Sequence, residues 1–390
     1  MQMSAALTYN LSPLPSLLLV GALLAVGPTL FVWLRDGGRT PSQRIQALRV
    51  LTLFLTFDLL LFGAFTRLTD SGLGCPDWPG CYGHTSPIGA HADIADAQSM
   101  MPGGPVTHSK AWIEMLHRYL ATAVGALMVL LTGLSWRNWR RHRGQRWAMP
   151  WLPTLTLAWI CLQGAFGALT VTMRLFPAIV TLHLLGALVL LMLLCAQVVR
   201  GGGSGKLVLK PMRSGMRRVL QWSLGMLLLQ VALGAWVSSN YAVLACSDFP
   251  TCQGSWWPDM NFAQGFEIWR GLGMTSAGVP INFEALTAIH YVHRLVAYGV
   301  LSLLMTLAWQ LSRAKPWRMP SRVLAALIVM QLVTGVSNVV FGWPLLAALL
   351  HTGGAGALVL TLTWMMVTGQ WRADPPEAVV RGSVGAGADE

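Results

Sequence analysis

The chain has 390 residues, of which 54% are hydrophobic and only 11% charged, where an ordinary soluble domain carries roughly 25% charged residues. The charges are bunched between long apolar runs, which marks a membrane protein and excludes a soluble enzyme, a disordered chain and a nucleic-acid binder. The net charge of +12 falls in short loops, where Lys and Arg report orientation in the bilayer and give no sign of a DNA or RNA partner.

Nine apolar stretches reach the length of about 20 residues that crosses a bilayer core. They run near 14–34, 48–66, 111–135, 151–173, 179–199, 219–239, 286–311, 322–341 and 346–369. No basic residue precedes the first, and Arg35, Arg39, Arg44 and Arg49 follow it, so it reads as an uncleaved anchor with its N-terminus outside. The loops after spans one, three, five and seven hold the other basic runs, among them Arg137, Arg140, Arg141, Arg143 and Arg146, and read as cytoplasmic. The long loops 67–110 and 240–285 then lie outside, each with two cysteines. The tail 371–390 reads as disordered and cytoplasmic.

An internal repeat organises everything after the first span. Gly63, Cys75 and Cys81 recur at Gly234, Cys246 and Cys252, an offset of 171; Gln163, Gly167 and His183 recur at Gln331, Gly335 and His351, an offset of 168. His117-Arg118 recurs as His293-Arg294 at an offset of 176. Each repeat holds four spans and begins on the same side, so the halves are parallel and related by a pseudo-two-fold axis along the membrane normal. The expected fold is an all-α polytopic membrane protein of two four-helix bundles plus one extra N-terminal helix. Its expected units are 1–45 (extra helix and loop), 46–205 and 206–370 (the two halves) and 371–390 (the tail).

The histidines carry the chemical signal. His84, His91, His108 and His142 fall in loops and read as solvated side chains. His117, His183, His293 and His351 each lie near the outer end of spans three, five, seven and nine, two per half at one depth. An imidazole in the membrane usually has a partner or a function. Two neutral imidazoles from facing helices are what haem iron takes as axial ligands inside a bundle. A zinc site fits less well, because no further Cys or carboxylate is symmetrically placed at that depth.

The loops "RLTDSGLGCPDWPGC" and "ACSDFPTCQGSWWPDM", with the segments "EMLHRYLATAVG", "HYVHRLVAYG", "TLHLLGALVLL" and "LLHTGGAGALVL", closely resemble the heme A synthase family over about residues 46–370. The resemblance implies an eight-helix membrane enzyme that oxidises the C8 methyl group of heme O to a formyl group, giving heme A for cytochrome c oxidase assembly. It implies that the N-terminal half, with His117 and His183, holds the substrate heme O, and that the C-terminal half, with His293 and His351, holds a heme b cofactor. Heme O synthase and cytochrome c oxidase assembly factors are the protein partners it suggests, beside heme O, heme A and the lipid bilayer; a homo-oligomer is left open. The extra leading span departs from the family pattern.

The halves differ three residues before the repeated His, where the first has Glu114 and the second His290. That spacing puts Glu114 on the face of His117, about 4.5 Å along the axis, where a carboxylate can stabilise charge at an oxidised methyl carbon or pass protons; the competing reading ties it to Arg118 or a loop amide. Arg67, Arg118 and Arg294 are expected partners for haem propionates, with interfacial snorkelling the alternative. Asp58, in mid-span, has no assigned role. Gln163, Gln230 and Gln331, each four residues before a glycine, read as packing groups, as does Gly63.

In the resembled family the loop cysteines are associated with disulfides, and the expected pairs are Cys75–Cys81 and Cys246–Cys252, one within each outer loop; a redox or haem-transfer role stands beside the structural one. Cys161 and Cys195 read as small core residues. Two rival functions share these features. A di-haem b-type electron carrier across the membrane would place haems at opposite faces, whereas all four ligands sit at the outer one. A haem transporter does not explain a carboxylate in one half only.

Overall fold

The computed structural model describes residues 10–35, 40–141, 150–201 and 210–372. Arg39, His142, Arg143, Arg146 and the tail beyond 372 lie outside the described residues. In chain order the helices are α1 (Leu14–Arg35), α2 (Pro41–Leu68), α3 (His91–Met100), α4 (His108–Arg141), α5 (Trp151–Thr172), α6 (Pro177–Arg200), α7 (Ser214–Ser239), α8 (Phe262–Gly265), α9 (Phe283–Ser312), α10 (Arg318–Val340) and α11 (Leu345–Thr368). Among the described residues, all but the short loop helices α3 and α8 are long and apolar enough to cross a membrane, and the chain is a multi-pass membrane protein. Each expected span lies on its own helix. The largest extensions are polar ends that hydropathy passes over: α2 starts at a box in which Thr40 and Gln43 cap one another, and α4 runs on to Arg141.

In the first half α2 packs on α4, α4 on α5, α5 on α6 and α6 back on α2; in the second, α7, α9, α10 and α11 close the same ring. The rings meet where α6 contacts α11 and α7, and α11 contacts α2. Hydrocarbon gives apolar helices no reason to prefer one another over lipid, so close approach depends on small residues. Gly353 of α11 receives Leu61, and Gly356 receives Phe57 and Leu60.

Two contacts mark the pseudo-two-fold axis. Arg67 donates to the carbonyl of Ser238, and the Tyr241 hydroxyl donates to Asp70 Oδ1 at 2.7 Å, both across 171 positions, which is the repeat offset itself. A residue meets its own equivalent only at a two-fold axis. The Arg67 guanidinium also lies 4.0 Å from the centre of the Tyr241 ring. Burial, opposed by that guanidinium, raises the Tyr241 phenol above its ordinary value, so it stays a donor.

Helix α1 stands outside both rings, against α4. Leu17, Gly21 and Ala25 line its buried stripe, and a Cβ on Gly21 would fall 2.5 Å from Thr122 Oγ1, so α1 and α4 touch almost backbone to backbone. One feature was not expected: β1 (Lys210–Arg213) and β2 (Gly369–Arg372) form a short parallel ribbon at the end away from the long loops. Cys195 is buried as expected, but Cys161 is exposed on α5. Hydropathy alone does not tell a lipid-facing position from a core one. Asp58 is also exposed, at a lateral groove with Phe62, Met330, Leu350 and Gly353.

Candidate functional site

The four repeated histidines come from the start of α4, α6, α9 and α11, the end of the bundle that also carries the long loops. Each is seated on a glycine of the neighbouring helix. A Cβ added to Gly63 would stand 3.0 Å from Cε1 of His117; to Gly167, 3.5 Å from His183; to Gly234, 3.0 Å from His293; and to Gly335, 3.3 Å from His351. The glycines expected to serve packing alone thus shape the seats of the imidazoles. In each half the two imidazoles lie within electrostatic reach of one another. All four residues are half-buried, although Nδ1 of His117 and of His183 is itself buried. What accessibility those two rings keep therefore lies away from Nδ1.

Two of the glutamines, Gln230 and Gln331, reach the same histidines. Gln230 Nε2 lies 3.0 Å from His293 Nδ1 and donates to the His293 carbonyl at 3.0 Å. Gln331 Nε2 donates to the His351 carbonyl at 2.9 Å. His351 Nδ1 lies 3.0 Å from Thr334 Oγ1, whose own proton goes to the Met330 carbonyl at 2.7 Å. In the first half, Nδ1 of His117 and Nδ1 of His183 have no hydrogen-bond partner among the described residues. At the repeat offsets, Gln230 corresponds to Leu59 and Thr334 to Phe166.

Beyond the imidazoles sit the two long loops, and here the arginines act. Arg118 Nη1 donates to the carbonyls of Asp77 and Pro79 at 3.0 Å each and to that of Gly80. Arg294 donates to the carbonyls of Asp248 at 2.8 Å and of Thr251 and Cys246 at 3.0 Å. The carbonyls of Asp77 and Gly80 are the repeat mates of those of Asp248 and Thr251, so each His-Arg pair turns its imidazole into the bundle and its guanidinium onto the loop. The donors of Arg118 and Arg294 named here go to loop carbonyls, and Arg67 is engaged at the axis. Hydrogen bonding explains it: loop carbonyls folded back over the helix ends need donors, and guanidinium supplies several in one plane.

Within the loops, Cys75 is bonded to Cys81 and Cys246 to Cys252, with Cα atoms 4.9 and 4.7 Å apart. The Asp77 carboxylate accepts from the amides of Tyr82 and Gly83 at 2.6 and 2.8 Å, and Asp248 from those of Gln253 and Gly254 at 2.6 and 3.1 Å. A hydrogen bond from Thr251 holds the Asp248 carboxyl below its usual range against desolvation, with smaller contributions from those backbone amides. Sequence reasoning passed over this aspartate pair, although its members stand 171 apart like the cysteines around them.

Glu114 is buried, 4% exposed, and both its oxygens are engaged: Oε1 by Arg118, Oε2 by the Cys75 amide at 2.8 Å. These are the two partners of the structural alternative, and in this geometry Glu114 ties α4 to the first loop. Its mate His290, also 4% exposed, accepts at Nε2 from Arg294 Nε at 3.1 Å.

Among the described residues no three His, Cys, Asp or Glu side chains gather as a metal-ion site. What each half offers is two imidazoles on facing helices with small residues behind them. That donor set fits a planar metal macrocycle better than a bare ion, which needs three or four protein ligands.

Comparison with known proteins adds a lineage. The family described as cytochrome oxidase assembly protein matches residues 46–363. A protein of Shewanella oneidensis named Heme A synthase is 37% identical over 312 residues, covering 80% of this chain and 92% of the relative. One of Hyphomonas neptunium with the same name is 27% identical over 353 residues, 85% of this chain and 93% of the relative. One of Halalkalibacterium halodurans, again so named, is 26% identical over 320 residues, 79% and 91%.

Proposed function

The chain belongs to the cytochrome oxidase assembly protein family, and on that premise we propose that it is a heme A synthase, a membrane oxidoreductase that converts the C8 methyl group of heme O to a formyl group. One observation carries the reading: two equivalent four-helix rings each present a pair of glycine-seated imidazoles at the same end, which suits two haems side by side and not a haem wire across the membrane. His117 and His183 take the iron of the substrate, heme O; His293 and His351 take that of a resident heme b. Bound there, heme b supplies one-electron chemistry. Glu114, Arg118 and the Cys75–Cys81 loop close the mouth of the substrate half, keeping water from the reacting carbon. Glu114 is here a positioning residue, holding Arg118 and the loop in register with His117 one turn away.

The positive loops support an orientation with the N-terminus and both haem sites toward the outer face of the cell membrane. A heme O synthase upstream and oxidase assembly factors downstream are the partners this activity requires. Haem extraction from the purified protein followed by mass analysis tests the reading. Heme b together with heme O and heme A supports it; heme b alone would make the protein an electron carrier.

A further inference from the structure

The two halves hold their imidazoles differently. An imidazole that binds iron through Nε2 carries its proton on Nδ1, and a partner for that proton fixes the tautomer, the plane of the ring and the electron richness of the ligand. Thr334 is ready for this role without rearrangement. Its hydroxyl proton is spent on the Met330 carbonyl at 2.7 Å, so the oxygen turns lone pairs to His351 Nδ1, 3.0 Å away. Gln230 grips His293 at ring and backbone, with the amide 3.0 Å from each. When Nδ1 carries the proton, only the amide oxygen, unpartnered and buried in the present orientation, can accept it, and an amide that turns to present it exchanges its bond to the His293 carbonyl for one to the ring.

In the first half the same places hold Leu59 and Phe166, which offer no acceptor. The buried Nδ1 atoms of His117 and His183 have no partner among the described residues. Those rings can turn or release a ligand without breaking a hydrogen bond.

Resting on the ligand assignment above, we propose that Thr334 and Gln230 are positioning residues that make the haem of the C-terminal half resident, and that their replacement by Phe166 and Leu59 makes the N-terminal site exchangeable. An enzyme whose substrate and product are themselves haems needs this asymmetry. The substrate site must release its haem at every turnover, whereas the electron-carrying site must never do so.

The test uses the full-length purified protein. Thr334→Val keeps the shape and removes the acceptor, and Thr334→Ser keeps the acceptor. Transfer of heme b to excess apomyoglobin is followed by absorption, and the heme b midpoint potential by redox titration. Thr334→Val should lose heme b about 10–100-fold faster, the usual effect of removing such a supporting partner, with a raised potential because the ligand donates less charge. Thr334→Ser should stay near the parent, and Gln230→Leu should follow Thr334→Val. The reciprocal variant Leu59→Gln with Phe166→Thr should slow loss of heme O and heme A, which keeps the proposal testable if Thr334→Val fails to fold. Parent-like loss rate and potential in Thr334→Val, with heme b absent from His351→Ala, would overturn the proposal and leave the ligand assignment standing. Full retention of heme b in His351→Ala would overturn the assignment itself.

Discussion

Set side by side, the two halves share their rings, their glycine-seated histidines, their arginine clasps and their disulfide loops. Around the imidazoles they part at Glu114 against His290, Leu59 against Gln230, and Phe166 against Thr334. In the first half the polar group lies above the imidazoles, between Arg118 and the Cys75 amide. In the second half polar groups lie behind them, at Nδ1. The repeat places an equivalent pair of histidines in each half, and the unlike residues around them are what the proposed difference in work rests on.

The strongest way to break this comparison is to remove ligands. His293→Ala and His351→Ala should each abolish heme b, and His117→Ala and His183→Ala should spare heme b while heme O and heme A vanish, as read by haem extraction and optical spectra. Heme b lost equally from all four variants would mean that the halves are not separate sites.

Next in size is Glu114. Glu114→Ala leaves Arg118, 8% exposed, without its carboxylate, and breaking a buried pair in this way costs about 3–5 kcal/mol. Heme A should fall sharply as Arg118 and the first loop lose their register with His117, and the Cys75–Cys81 bond should become open to reductant. Glu114→Gln, which keeps the acceptor for Cys75, should be milder. His290→Ala should leave heme b in place. A full loss of heme A in Glu114→Gln with the disulfide still protected would return Glu114 to direct chemistry.

The glycine seats sharpen the comparison within a half. Gly63→Ala and Gly234→Ala put a methyl 3.0 Å from an imidazole carbon, closer than ordinary contact, whereas Gly167→Ala meets His183 at 3.5 Å. The first two should shift the Soret band of their own half's haem and speed its loss several-fold; Gly167→Ala should be near the parent. Equal effects at all three would show that the rings do not rest where the seats imply.

Smaller still is the effect of α1. It packs on α4 and, more lightly, on α2, both of the first half, with Gly21 against Thr122. Deleting residues 1–40 from a chain that still inserts correctly should leave heme b unchanged and cost the first half only thermal stability. Loss of both haems would make α1 part of the bundle.

The least effect is expected from acid on the second loop. The Asp248 carboxyl is held below its ordinary value, so the stability it lends is present above the unfolded-state value and is lost as pH falls through the folded one. Hydrogen exchange at the Gln253 and Gly254 amides should therefore speed up at pH values below the ordinary carboxylate range. Asp248→Asn should show the faster exchange already at neutral pH, and unchanged exchange in that variant would remove the carboxylate from the account.

Much of this was legible in the sequence, because the informative features are local or periodic. A span needs only its own apolar length, a repeat shows as a constant offset, and a histidine inside a span is costly unless it is used. Those facts mark the nine apolar spans, the two repeated halves and the four imidazoles, and the cysteine spacing points to one bond within each loop. Other features depend on which side chain a neighbouring helix presents, and spacing along one helix does not carry that information. Only the tertiary structure decided that Gly63, Gly167, Gly234 and Gly335 each back a histidine, that Cys161 faces outward, and that Arg118 and Arg294 spend their donors on loop carbonyls. It decided also that Glu114 is held from both sides, and that, among the described residues, Nδ1 finds a partner in one half and none in the other. The physical reason is directional: hydrogen bonds and contacts below 4 Å are set by the rotation and depth of one helix against another, whereas hydropathy and periodicity record only that each helix has a face to bury.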